Sequence, residues 1–210
     1  MIDYEPWLAR TVPETGEVAI DVGANKGVWT RELAQRFVHV HAVEPNPEIW
    51  PILETDLPAN VTLHRVAAWD KSELLRFKRY ASPDHLSAYN EGTLLGQLGI
   101  VGPVLEEIAL HAQPLDSLPI NGKVDFVKID VEGAECQVVM GAERLMETSR
   151  PAFLIEIHAG KNFTRLNALL KEREYDYEII LHPLLAQDSP YRTEHFWVYA
   201  SFLRPMHLGW

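Results

Sequence analysis

Two short runs in this chain place titratable groups two residues apart: Ile129-Asp-Val-Glu132 and Ile155-Glu-Ile-His158. If each run closes a strand, alternation puts Asp130 with Glu132, and Glu156 with His158, on one side. Carboxylates and an imidazole that converge in this way can take the proton of a weakly acidic hydroxyl group. His158 is the expected general base, oriented by Glu132 or Glu156, with Asp130 beside the reacting groups. The same four residues offer oxygen and nitrogen ligands acceptable to Mg²⁺ or Mn²⁺. No familiar ligand spacing is reproduced, however, so a divalent metal is not favoured and the sequence assigns no metal site. Purely structural roles compete with these. Glu132 and Glu135 would complement the dipole of a helix that starts there, and Glu156 would pair with a buried base such as Lys128.

A second constellation lies upstream. The apolar run Val18–Val22 carries Asp21 and breaks into Gly23-Ala-Asn-Lys-Gly27. Gly23 and Gly27 allow a ligand to approach the backbone, and Asn25 tolerates unusual turn dihedrals. Glu44 follows Gly23 by 21 residues and closes the next apolar run. An acid at that place meets a ribose diol in open α/β sheets, so an adenosine-containing ligand is expected. A dinucleotide fingerprint is absent, because Asn25 and Val28 stand where it needs glycine, and there is no Walker-type loop. S-adenosylmethionine, an adenosine ligand without a pyrophosphate, fits these features. Its cationic sulfonium suits a crevice that holds Asp21 and Glu44.

Positioning these groups requires a regular scaffold. Strand-length apolar runs recur at Val18–Val22, Val38–Val43, Val61–Val66, Val124–Ile129 and Phe153–Ile157. Helical spacing occupies Trp29–Phe37, Ala134–Met146 and Asn162–Arg173. The pattern predicts an α/β, Rossmann-like fold with a mostly parallel seven-stranded sheet and helices on both faces. Tyr175–Leu181 and His195–Phe202 have no helix between them, so an antiparallel strand is expected near the end. Leu74–Tyr80 reads as an extra strand with Leu75 and Phe77 on one face. Residues 81–103 read as an irregular loop or lid, with His85, Ser87, Tyr89 and Asn90 available to an acceptor. His39 and His41 share a strand face and lack a nearby third ligand in sequence, which suggests edge packing.

Composition narrows the field further. The chain of 210 residues suits a single domain over 1–210, with 1–16 as an N-terminal extension. Thirty acids against 19 bases give a net charge of −11, which disfavours a nucleic-acid partner. No apolar stretch is long enough to span a bilayer, so no membrane role is expected. A lone Cys136 and an acidic start without a signal pattern point to the cytoplasm.

Three stretches together carry a resemblance. Asp21-Val-Gly-Ala-Asn-Lys-Gly27, Val43-Glu-Pro-Asn46 and Val127-Lys-Ile-Asp-Val-Glu-Gly-Ala-Glu135 resemble the FkbM-type methyltransferases, and the similarity extends from about Glu17 to about Phe202. The third stretch is the most diagnostic. The resemblance implies a class I methyltransferase fold and S-adenosylmethionine-dependent O-methylation of a sugar, glycan or other small hydroxylated metabolite. It implies that Asp21, Gly23, Asn25 and Gly27 surround the methionine part of the donor, with Asp130 close by. Glu44 would hold the ribose, Pro45 and Asn46 would lie near the adenine, and Trp69 would pack on it. The acceptor pocket would draw on residues 81–103 and the Pro183–Glu194 loop, or on a second subunit of a homo-oligomer. Tyr4, Trp7, Trp197 and Trp210 could cover such an interface or pack on the sheet edge. Two alternatives from other classes are a nicotinamide-dependent reductase and a catalytically silent, methyltransferase-like binding module.

Overall fold

The near-continuous Val/Ile runs become central strands because both of their faces are covered. In the computed structural model, which describes residues 11–80, 86–88, 104–158, 160–181 and 196–202, seven strands form the main sheet. They are β1 (Gly16–Val22), β2 (Phe37–Val43), β3 (Val61–His64), β8 (Val124–Ile129), β9 (Ala152–Ile157), β10 (Asp176–Leu181) and β11 (Phe196–Ser201), in the order β10-β11-β9-β8-β1-β2-β3. Strand β11 runs antiparallel to both neighbours, and the pairings β9–β8, β8–β1, β1–β2 and β2–β3 are parallel. The chain order reverses at β1, which opens a crevice between the carboxyl ends of β1 and β8. The expected α/β architecture is therefore present.

Alternation along the strands supplies two cores. Val18, Ile20, Val22, Val127, Ile129, Ile155 and Val198 face one side, where α3 (Glu135–Met140), α4 (Glu143–Thr148) and α5 (Gly160–Glu172) bring Val138, Leu145 and Leu166. Ala19, Val40, Phe126, Leu154 and Trp197 face the other side, covered by Trp29 and Leu33 of α1 (Val28–Ala34). Trp197 thus belongs to the core. The short α2 (Trp50–Leu53) packs Leu53 beneath Ala24 and Ala42. Among the described residues no helix is long and apolar enough to cross a membrane.

A second sheet, in the order β4-β7-β5-β6, adds β4 (Ala67–Ala68), β5 (Glu73–Tyr80), β6 (Leu86–Ala88) and β7 (Val104–Gln113). Strand β7 is absent from the sequence reading, although Ile108, Leu110 and Ala112 alternate with Glu107, Ala109 and His111. Ile108, Leu110 and Ala112 pack with Leu75 and Phe77. Apart from β6, the lid expected over 81–103 lies outside the described residues, as do the Pro183–Glu194 loop, His85, Tyr89, Asn90, Tyr4, Trp7 and Trp210. His41 Nδ1 and His64 Nε2 share a 2.8 Å hydrogen bond across β2 and β3, with His39 ringed edge-on against His41. Burial pushes His41 down to about 4.

The single helix expected over Ala134–Met146 is two. At the break Asp116 N donates to Gly141 O at 3.0 Å, and the Asp116 carboxylate accepts from Arg144 N at 2.7 Å and Leu145 N at 2.9 Å. Residue 141 is glycine for a steric reason: a Cβ there would lie 1.9 Å from Trp69 O and 3.0 Å from Trp69 C. The helix pair can approach the Trp69 backbone only where a side chain is missing. The central register also has an electrostatic consequence. Asp21 of β1 stands opposite Lys128 of β8, and both are fully buried or nearly so. Lys128 Nζ lies 3.3 Å from Asp21 Oδ1 and 3.4 Å from Asp130 Oδ2, and donates to Gly23 O at 3.1 Å. Thr30 Oγ1 donates to the other Asp21 oxygen at 2.6 Å.

Two expectations follow for stability in urea. Gly141→Ala overpacks the Trp69 contact and should cost about 1–3 kcal/mol. Lys128→Met leaves buried carboxylates without their base and should cost about 3–5 kcal/mol. A Lys128→Met variant with wild-type stability would contradict the ion-pair account.

Candidate functional site

Positive-φ residues at the end of β1 turn the backbone away from the sheet and bare its edge. Gly23, Asn25 and Gly27 have φ of 75, 47 and 80°. Glycine is required at 23 because a Cβ would lie 1.8 Å from Asp130 O. The Gly23 and Ala24 N–H groups both donate to Val43 O, at 2.9 and 3.1 Å, which ties the turn to the end of β2. From α1, Arg31 donates to Lys26 O at 2.7 Å, Leu53 O at 3.1 Å and Thr55 O at 2.6 Å. This guanidinium staples the turn to the segment after α2.

Glu44 is fixed by the same frame. Its Oε2 accepts from Asn25 N at 2.8 Å and its Oε1 from Asn46 N at 2.7 Å. Trp50 Nε1 donates to Glu44 O at 2.8 Å. Burial raises the Glu44 pKa to about 7, against the lowering effect of the two backbone hydrogen bonds. A carboxylate so held is preorganised for hydroxyl donors, because each oxygen keeps an accepting lone pair.

A pocket open to solvent lies between this frame and the ends of β8 and β4. Of the residues singled out from sequence, Gly23, Asn25, Glu44, Pro45, Asn46, Trp69, Asp130 and Glu132 line it. Asp21 and Gly27 do not. Asp21 sits beneath the turn on Lys128, and Gly27 opens α1, where a Cβ would meet Leu53 and Arg31. Glu156 and His158 are also set back from the pocket wall and reach it through Asp130. Sequence reasoning missed Ile49, Phe77, Val131 and Ala134, which supply apolar wall. The extra-strand pattern of Leu75 and Phe77 was visible, but not its contact with the pocket.

Strand alternation does not bring Glu132 to Asp130. Strand β8 ends at Ile129, and Glu132 and Gly133 take φ of 56 and 106° in a turn that swings the carboxylate back. His158 Nε2 then lies 3.5 Å from Asp130, 3.7 Å from Glu132 and 3.9 Å from Glu156. The Nδ1 partner is a residue the sequence reading gave only a dipole role. Glu135, fully buried, accepts from His158 Nδ1 at 3.1 Å and from Gly133 N at 2.9 Å. Burial favours a neutral His158 ring, but Glu132, Glu156, Glu135 and Asp130 outweigh it and hold the pKa well above the imidazole range. Burial likewise opposes the Lys128 charge, and Asp21, Asp130 and Glu156 more than offset it.

The residues present fit an adenosine-type sulfonium ligand. A fixed carboxylate faces the pocket, and its opposite wall is acidic. Trp69 and Phe77 offer aromatic surface. Next to Trp69, the buried Asp70 Oδ1 has no hydrogen-bond partner among the described residues, although a buried acceptor is costly to leave so.

Comparison with known proteins agrees with this geometry. The family model described as the Methyltransferase FkbM domain matches residues 21–179. A solved FkbM methyltransferase from Methylobacillus flagellatus KT is similar at 20% identity and a TM-score of 0.61, over 88% of this chain and 43% of that one. The chain thus spans less than half the length of that relative. Precorrin-6y C5,15-methyltransferase from Geobacter metallireducens GS-15 matches at 15% identity and a TM-score of 0.55, over 93% of this chain and 84% of that one. A Streptococcus mutans protein classed as a methyltransferase, in complex with SAH, matches at 12% identity and a TM-score of 0.54, over 96% and 99% of the two chains. No curated protein matches the sequence at a significant level. These structures share the class I methyltransferase fold, and the match over residues 21–179 places this chain in the FkbM methyltransferase family.

Proposed function

We propose that the protein is an S-adenosylmethionine-dependent O-methyltransferase acting on a sugar, glycan or other small hydroxylated metabolite. The observation that carries this reading is one pocket walled by the fixed Glu44 carboxylate on one side and by Asp130 and Glu132 on the other. When bound, S-adenosylmethionine supplies a methyl group already activated by its sulfonium, so the protein's task is alignment. Glu44 accepts from the ribose hydroxyls, Pro45 and Asn46 flank the base, and Trp69 and Phe77 close over it. Gly23 and Asn25 give room to the methionine part, with Asp21 and Gly27 shaping the turn from beneath.

An alcohol becomes a competent nucleophile as its proton leaves. The sequence reading gave that proton to His158. Its Nε2 faces three carboxylates and the ring stands behind the pocket wall, so Glu132 is the better placed acceptor. Glu132 lines the pocket on a turn whose backbone holds it there. His158, Glu135 and Glu156 position that wall. The net charge of −11 favours a small neutral acceptor over nucleic acid, and neither a membrane nor a nucleic acid enters this reading.

Incubation with methyl-labelled donor and a panel of sugars, glycans and hydroxylated metabolites tests the activity. Label should enter an O-methyl ether; label on nitrogen, or on no acceptor, would refute the assignment. Glu132→Gln should slow transfer about 100-fold or more while donor binding stays near wild type, and Glu44→Ala should remove donor binding in calorimetry.

The pH dependence has a definite sign. Glu44 has a folded pKa of about 7 against 4.5 for the free group, so its contribution to stability without ligand is present below 4.5 and lost as pH rises through about 7. Ribose hydroxyls favour the ionised carboxylate. Donor binding near pH 6.5 should therefore release a proton, read as a heat that varies with buffer ionisation enthalpy; a heat independent of the buffer would contradict this.

A further inference from the structure

Lys128 and His158 sit among five acidic side chains: Lys128 beside Asp21 and Asp130, and His158 beside Asp130, Glu132, Glu135 and Glu156.

The geometry favours a shared cation. One ligand atom each from Asp130, Glu156 and His158 lie within 4.8 Å of one another. The spacings of 3.5 Å (Asp130 to His158) and 3.9 Å (Glu156 to His158) exceed a charged hydrogen bond. Cis ligands about 2.1 Å from one octahedral ion stand about 3.0 Å apart, so a cation would draw the three side chains together by less than about 1 Å. Glu135 accepts the Nδ1 proton of His158, so Nε2 is the nitrogen that faces the two carboxylates, and a cation there would displace its proton and take the lone pair. That is the carboxylate–histidine–metal arrangement, with its outer partner in place. Asp130 and His158 immediately follow β8 and β9, and Glu156 is in β9, so paired strands hold all three.

We propose that Asp130, Glu156 and His158 bind a divalent cation at the wall of the pocket. Two carboxylate oxygens and one imidazole nitrogen select Mn²⁺ or Mg²⁺ over thiophilic metals. Asp130 lines the pocket, so the open coordination positions face it. Only the role of the ion rests on the methyl-transfer reading: a hydroxyl bound there loses its proton more readily, to Glu132.

The test uses the full chain, stripped with chelator and titrated with MnCl₂ without donor or acceptor. One saturable site per chain, filled below roughly 1 mM and displaced by Mg²⁺, is expected in electron paramagnetic resonance and calorimetry. Spin-echo spectra should show coupling to one imidazole nitrogen, which His158→Gln abolishes. Asp130→Asn and Glu156→Gln, checked by circular dichroism, should weaken binding tenfold or more. No saturable binding by the wild type, or binding without nitrogen coupling, overturns the site. So does affinity unchanged in Glu156→Gln. S-adenosylmethionine calorimetry in chelator separates the two readings. Heat with the donor but no Mn²⁺ binding sinks the cation site alone, whereas Mn²⁺ binding without donor heat sinks the methyl-transfer reading and leaves the site standing.

Discussion

The buried ammonium of Lys128 is the constraint on which the site depends. It lies at the point where the strand order reverses and touches Asp21, Asp130 and the carbonyl of Gly23 at once. A charge in that position is tolerable only when paired, and its partners are tolerable only with it. One interaction therefore fixes the end of β1, the end of β8 and the first glycine of the turn together. The crevice between them acquires its shape from electrostatic necessity as much as from packing.

Around that point the pocket is built from two differently behaved walls. The Glu44 wall is rigid by backbone hydrogen bonds: Asn25 and Asn46 hold the carboxylate, Val43 O holds the turn, and Arg31 staples three carbonyls. The Asp130 wall is rigid by charge, with His158 at the centre of four carboxylates. A preorganised acceptor on one side and concentrated negative charge on the other suit a cationic nucleoside and a proton to be removed. The second sheet completes the enclosure by bringing Phe77 and Trp69 over the opening. Gly141 lets the helix pair approach closely enough to support it.

Much of this was legible beforehand, for identifiable reasons. Alternating or continuous apolar runs located all seven main-sheet strands to within a few residues, and the missing helix between the last two announced the antiparallel strand. Strand β7 escaped because Glu106 and Glu107 interrupt its start, though Ile108, Leu110 and Ala112 keep the period. The split of the expected helix escaped because the residue that caps the break, Asp116, lies 25 residues before Gly141 in sequence.

Sequence alone determined the family, the sheet and the residues that had to meet: the glycine turn, Glu44, Asp130 and Glu132 are local motifs whose spacing carries their meaning. Only the tertiary structure decided how they meet. Glu132 reaches Asp130 through a positive-φ turn and not by strand alternation. Glu135, which looked like a helix-dipole residue, orients His158, and His158 stands behind the wall with its ring among carboxylates. The reason is physical: burial and the charges gathered in three dimensions set the protonation and the orientation of a side chain, and neither quantity is written in the order of residues along the chain.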